Sequence, residues 1–174
     1  MAPLAQALRG AFAQAAVLAP DWPVDQASTA LPAWVQAQQK RLGVGTAATA
    51  LGGFAQGADA AVALALAHDG LVGRVLVFAG RLAALPDAQP LAAPRHTTLH
   101  WLHGADDAQV PAECARDALL WLADLQGDAT LDIAQGVGHS LHPALIACAL
   151  QRLRSHIPLR TWQAALGAAA NTLD

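Results

Sequence analysis

The chain has 174 residues, 55% of them hydrophobic and 13% charged, with a formal net charge of −3 and alanine at about a quarter of all positions. So apolar a composition excludes a disordered chain, and nine scattered Arg and one Lys against thirteen acidic residues exclude a nucleic-acid binder. Two distant cysteines, Cys114 and Cys148, exclude a disulfide scaffold, and the length suits a single domain over residues 1–174, burying about 70% of its unfolded surface.

Short β-like runs then alternate with longer helical ones. Residues 15–19 form a short apolar run closed by Pro20-Asp21, which predicts a first strand. Residues 28–42 carry Leu31, Val35 and Leu42 at helical spacing, with Ser28 or Thr29 as cap, Pro32 in the first turn and Gly43 as the stop. Residues 46–51 predict a second strand, and Gly52-Gly53 the turn after it. A helix of small residues follows over 56–68, then a buried β-branched strand over 74–79. A fourth strand covers 97–102, and Pro111 opens a helix with Ala115, Leu119 and Leu122 inward, ended by Gly127. A fifth strand covers 129–133. Pro143 opens a helix with Ile146, Leu150 and Leu153 inward, and a last helix covers 159–170. Strand and helix in alternation predict a parallel sheet with helices on both faces, an α/β class.

The most apolar stretch, residues 60–79, is interrupted by His68-Asp69-Gly70 and by Gly73-Arg74, so no membrane span is expected. Residues 11–20 follow Arg9 as a signal peptide would, but Gln14 interrupts them and Asp21-Trp22-Pro23 makes a poor cleavage site. A cytoplasmic location is expected.

In such sheets the chemistry gathers in loops leaving the carboxyl ends of the strands. The loop after the second predicted strand reads Gly52-Gly53-Phe54-Ala55-Gln56-Gly57-Ala58, the glycine frame of a nucleophile elbow between strand and helix. The elbow position is Ala55, a methyl group in place of a hydroxyl or thiol. The loop after the fourth runs from His103-Gly104 through Asp106-Asp107 to Pro111, and the loop after the fifth contains Gly136-Val137-Gly138-His139. A carboxylate and a histidine therefore follow the elbow in the order nucleophile, acid, base. The carboxylate would hold the imidazole tautomer whose free nitrogen takes a serine proton.

These segments resemble the carboxylesterase/phospholipase/acyl-protein-thioesterase branch of the α/β-hydrolase superfamily, and more narrowly its bacterial predicted esterases. The family's G-F-S-Q-G-A is matched by Gly53 to Ala58 with serine replaced, its H-G-x-x-D-x-V-V-P by His103 to Pro111 with Gln109 where Val is usual, and its G-x-G-H by Gly136 to His139. The ending Ile157-Pro158-Leu159-Arg160-Thr161-Trp162 is similar to the family's last helix. The resemblance implies a three-layer α/β-hydrolase fold, the acid at Asp107 rather than Asp106, the base at His139, and an oxyanion donor in the Gln56 backbone N–H. It implies no cofactor and no metal, and a small-molecule acyl ester as substrate: short-chain carboxylic, phospholipid-type or thio-esters. A homodimer is the assembly expected of an exposed apolar sheet edge.

Two departures from the family pattern stand out. Ala55 removes the nucleophile. Met1-Ala2-Pro3-Leu4 already resembles the family's first long helix, so the fold is expected to lack its first strands and the second oxyanion loop, with Trp22 a remnant of a G-R-x-W-F-type segment. Decay of the gene or an incomplete reading frame accounts for both departures; an engineered serine replacement accounts only for the first. The strands at 15–19 and 46–51 are then expected to pair directly, giving a five-stranded parallel remnant. As written the chain is expected to be nearly inactive, an esterase by lineage or a non-catalytic binder of an acyl ligand or partner.

Other patterns carry less. His96, His100 and His103 stand at metal-like separations, with His139 and His142 further on, but zinc needs three or four converging ligands. Gly43-Val44-Gly45 and Gly52-Gly53 lack the Lys-Ser/Thr or the third glycine of a phosphate loop. Trp34, Trp101, Trp121 and Trp162 read as core or interface residues, Cys114 and Cys148 as buried thiols, and His142 as a helix start. Ser140, adjacent to His139, points away from it and makes no substitute nucleophile.

Overall fold

The computed structural model describes residues 1–20, 27–82 and 93–170. Segment 21–26, with Trp22, lies outside the described residues. Strands β1 (Ala50–Phe54), β2 (Arg74–Phe78), β3 (Thr98–Gly104) and β4 (Ala129–Ala134) form one parallel sheet in that spatial order. The register sets Gly53 beside Val77, Val77 beside Trp101 and Trp101 beside Leu131.

Alternation along β2 shows why the sheet is buried on both faces. Val75 and Val77 enter one core with helices α2 (Ala27–Leu42), α3 (Gln56–Ala67) and α4 (Ala112–Asp124). Leu76 and Phe78 enter the other with α1 (Ala2–Ala11) and α5 (Pro143–Ser155). A final helix, α6, spans Leu159–Ala170. Helix α3 lies close to the sheet because Ala58, Ala61 and Ala65 face it, which gives part of the alanine bias a packing purpose. No helix among the described residues is long and apolar enough to cross a membrane.

Among the described residues the sheet has four strands, not the five expected. Residues 15–19 form no strand and pair with no strand among the described residues, and Ala15, Ala16, Leu18 and Ala19 are exposed. Among the described residues, the turn bond from Ala15 N–H to the Phe12 carbonyl and one from Arg9 Nη2 to the Val17 carbonyl (3.2 Å) tie them down. An apolar run becomes a strand only where a neighbour completes its ladder. Here a groove of about 610 Å³ separates this run from β1. The predicted pairing with residues 46–51 is therefore wrong, and 46–48 is itself a 3-10 turn ahead of β1.

The predicted turn at Gly52-Gly53 is instead the middle of β1, because a strand covered by a tightly packed helix takes glycine where backbone meets backbone. Pro32 lies inside α2 rather than in its first turn. On α4 the inward residues are Ala112, Ala115, Ala118 and Leu122, with Leu119 only partly buried. Leu42 and Trp162 are exposed, whereas Trp101 is fully buried. Cys114 and Cys148 are half-buried.

Candidate active site

The site lies where β1, β3 and β4 end. After Phe54 the chain turns sharply into α3, and Ala55 takes φ 50° and ψ −121°, a conformation that L residues rarely adopt. Such a residue stores roughly 1–3 kcal/mol of strain and persists only where its surroundings enforce it. Ala55 N–H donates to the Phe78 carbonyl (2.9 Å), while the Ala55 carbonyl accepts from Ala58 and Asp59 N–H as α3 begins. The turn is this tight because Gly53 lies against the Gly57 backbone, where a Cβ would overlap the Gly57 carbonyl. Gly53→Ala is therefore expected to lower stability by more than about 3 kcal/mol, since the obstruction is backbone and cannot repack. A urea midpoint within 0.5 M of the unmutated chain would contradict this packing.

Helix α3 begins at Gln56; the Ala58 and Asp59 N–H groups bond the Ala55 carbonyl, whereas those of Gln56 and Gly57 have no acceptor among the described residues and point beyond the sheet's carboxyl edge. An anionic oxygen placed over the elbow would meet these donors and the positive end of the helix dipole.

The loop after β3 separates the two adjacent aspartates. Asp106 is exposed; Asp107 is buried, with its side chain fully enclosed. Asp107 Oδ1 accepts from the backbone N–H groups of Gln109 and Val110, both at 2.9 Å, and Oδ2 lies 2.7 Å from His139 Nδ1. Burial pushes the Asp107 carboxyl up. The Val110 N–H, the His139 imidazole and the Gln109 N–H outweigh it together and hold the carboxyl below the ordinary aspartate range. With Asp107 ionised, His139 donates from Nδ1 and keeps a lone pair on Nε2.

His139 is delivered by the loop after β4, where Gly136 takes φ 70° and Val137 is buried. Its ring packs at 4.8 Å against Phe54, the residue immediately before Ala55. Elbow, imidazole and carboxylate thus meet at one end of the sheet.

Two further residues shape the site, each inside a sequence motif but given no role there. Phe54 seats the imidazole. His103, fully buried, sends Nε2 to the Val110 carbonyl at 2.7 Å and lies 3.6 Å from Asp107 Oδ2, so it clamps both ends of the loop that aims the carboxylate. Its place at the head of the His103–Pro111 motif, four residues before Asp107, is the signal for this role. The histidines with metal-like spacing separate: His96 pairs with Asp69 (2.9 Å), His100 with Thr130 Oγ1 (2.8 Å) and His103 with Val110. Among the described residues no three His, Cys, Asp or Glu converge on a metal position. His142 caps α5, accepting on Nδ1 from Ala144 N–H.

A strained elbow at the end of a parallel strand, between helical layers, belongs to the α/β-hydrolase fold, and this chain has that fold. Residues 14–157 match the Phospholipase/Carboxylesterase family, and the chain belongs to it. Among its relatives is Esterase YpfH of Escherichia coli K12, 40% identical over 128 residues, a match covering 74% of this chain and 53% of that protein. The chain thus spans about half the length of that curated relative. Esterase PE8 superposes with a TM-score of 0.65 at 31% identity, over 75% of this chain and 60% of that one. A carboxylesterase from Mesorhizobium loti shares the fold at 17% identity, with a TM-score of 0.68 over 89% of this chain and 83% of its own.

Proposed function

We propose that this chain is a carboxylesterase scaffold with Ala55 at the nucleophile position, His139 as the base, Asp107 as the residue that orients it, and the Gln56 backbone N–H as one oxyanion donor. The observation that carries the reading is the 2.7 Å contact between Asp107 Oδ2 and His139 Nδ1, on an imidazole packed against Phe54 beside the strained Ala55.

With serine at 55, the hydroxyl would attack an ester carbonyl while His139 Nε2 takes its proton. Gln56 N–H would stabilise the oxyanion, and the imidazolium would return its proton to the leaving alcohol or thiol. Water would then release the acid by the same path. Short-chain carboxylic esters, phospholipid-type esters and thioesters are the substrate classes that fit this chemistry.

The methyl of Ala55 forms no acyl-enzyme. Losing the nucleophile of a triad leaves at most about 10³–10⁴-fold over water, supplied by a complete oxyanion hole and substrate binding, and with Gln56 N–H as one donor alone that remnant falls toward the uncatalysed rate. The chain as it stands is a non-catalytic or nearly inactive member of the family, able to hold an acyl ester but not to turn it over. Hydrolysis of p-nitrophenyl acetate by the unmutated chain and by Ala55→Ser tests this. The expected result is a rate near background for the first and at least about 10²-fold faster release of p-nitrophenol for the second. Rapid turnover by the unmutated chain would defeat the proposal.

A further inference from the structure

At the amino ends of the strands, across the sheet from the acid–histidine pair, a hollow of about 410 Å³ opens. Arg74 begins β2, Thr98 begins β3, and Asp128 stands immediately before β4. At a rise of about 3.3 Å per residue, the length of β3 sets this end about 20 Å from Asp107 and His139. The lining of the hollow joins Asp128, Arg152 and His156 to the apolar Ile157, Leu159 and Trp162. Trp162 is 54% exposed.

Two carboxylates stand among three arginines here, and both are already engaged. Asp132 accepts from Arg152 on both oxygens, at 2.8 and 2.9 Å. Asp128 accepts from Thr98 Oγ1 (2.6 Å) and the Leu159 N–H (3.1 Å), and lies 3.2 Å from His156 Nε2. Arg74 reaches only carbonyls among the described residues, those of Gly73 and His156, at 3.3 Å each. Its Nε is buried without a partner. Arg160 makes no hydrogen bond or ion pair among the described residues, and its Nη1 is buried likewise. Both arginines adjoin the hollow, Arg74 through the His156 carbonyl and Arg160 as the neighbour of Leu159.

The two unpaired guanidiniums are also close enough to repel. Burial and, after it, the charge of Arg160 lower the Arg74 pKa, with Asp128 opposing. A guanidinium stays protonated in proteins, so neither can escape by losing its charge. Water would fill the open donors but leave the repulsion, whereas an anion relieves both. The open donors belong to two different side chains. A carboxylate has two oxygens in one plane and suits a single guanidinium fork. A phosphate monoester carries three oxygens set apart and nearly two negative charges, so it can bridge two arginines. The apolar side chains of the hollow then offer a surface to its organic part.

We infer that this hollow is a binding site for a small phosphate monoester, its phosphate between Arg74 and Arg160 and its apolar or aromatic body on Trp162. The inference stands whether or not the chain has esterase chemistry, since none of these residues belongs to the elbow, the carboxylate or the imidazole.

The probe is phenyl phosphate, titrated into the full chain at neutral pH and low salt and followed by isothermal titration calorimetry. The expected result is saturable binding at one site. Arg160→Gln should weaken it at least about tenfold, by removing one charged partner of the phosphate. Trp162→Ala, at an exposed position that the fold does not need, should weaken it at least about threefold. His139→Ala should leave the affinity unchanged, because the elbow lies at the other end of the sheet. Absence of saturable binding, or full affinity in both Arg160→Gln and Trp162→Ala, would overturn the inference. So would loss of binding in His139→Ala, which would place the probe over the elbow. Benzoate binding as tightly as phenyl phosphate would overturn the assignment to phosphate. Inorganic phosphate binding as tightly would overturn the role of Trp162.

Discussion

In an Ala55→Ser background, Asp107→Asn lowers kcat for p-nitrophenyl acetate by about 10⁴-fold and changes KM little. The size follows from how the carboxylate is used. Its Oδ1 accepts two backbone N–H groups, and its Oδ2 accepts the His139 Nδ1 proton. Asparagine has one oxygen for both tasks. The two fixed backbone donors claim that oxygen, and the amide NH₂ then faces His139. Imidazole nitrogen Nδ1 must become the acceptor, so the proton moves to Nε2, the nitrogen that has to take the serine proton. The fold survives because the backbone bonds are kept. A loss of less than tenfold, with the variant folded by circular dichroism, would show that Asp107 does not set the tautomer.

The second large effect concerns stability. His100 on β3 has no exposed surface, with Nδ1 on Thr130 Oγ1 and its ring edge-on to His156 at 5.0 Å. Burial, followed by the positive charge of His156 and Arg74, pushes its pKa down to about 3, although Asp128 opposes this. Unfolded histidine titrates at about 6.5. Between those values the unfolded chain binds one more proton than the folded chain, so stability rises with pH by about 1.4 kcal/mol per unit. Lowering the pH from 6.5 to 4 should therefore remove roughly 3 kcal/mol.

Asp107 and Asp69 are both held below the usual carboxylate range, Asp69 because the Arg95 N–H, the His96 side chain and the His96 N–H outweigh its burial. Their stabilisation is complete above about pH 4 and is lost only as the pH falls through their lowered values. His100 contributes its slope above that range, between pH 6.5 and 4. His100→Asn, which offers Thr130 a hydrogen-bonding group without a titration, should flatten urea-derived stability between pH 6.5 and 4. The same slope in that variant would contradict the assignment.

How much of this was legible depended on the range of the interaction that fixes each residue. Ala55, Asp107 and His139 stand out because each sits in a short loop whose glycines and spacing are local. The strands over 74–78 and 98–104 are equally readable from their β-branched and apolar content, and α3 and α5 from their starts at Gln56 and Pro143. Residues 15–19 have the same apolar pattern, but a strand also needs a partner, and none reaches them across the groove. The glycines of β1 read as a turn because the Gly57 carbonyl that requires Gly53 becomes a neighbour only when α3 folds back. His103 and Phe54 act through contacts with Val110 and His139, which no periodicity encodes.

The proposed site is that of an esterase lacking one hydroxyl. Intact-mass spectrometry after exposure to p-nitrophenyl diethyl phosphate, which phosphorylates activated serines, tests that claim most directly. The Ala55→Ser chain should gain one diethylphosphoryl group, mapped by proteolysis to position 55, while the unmutated chain gains none. Labelling of the unmutated chain, or a folded Ala55→Ser chain that stays unlabelled, would contradict it.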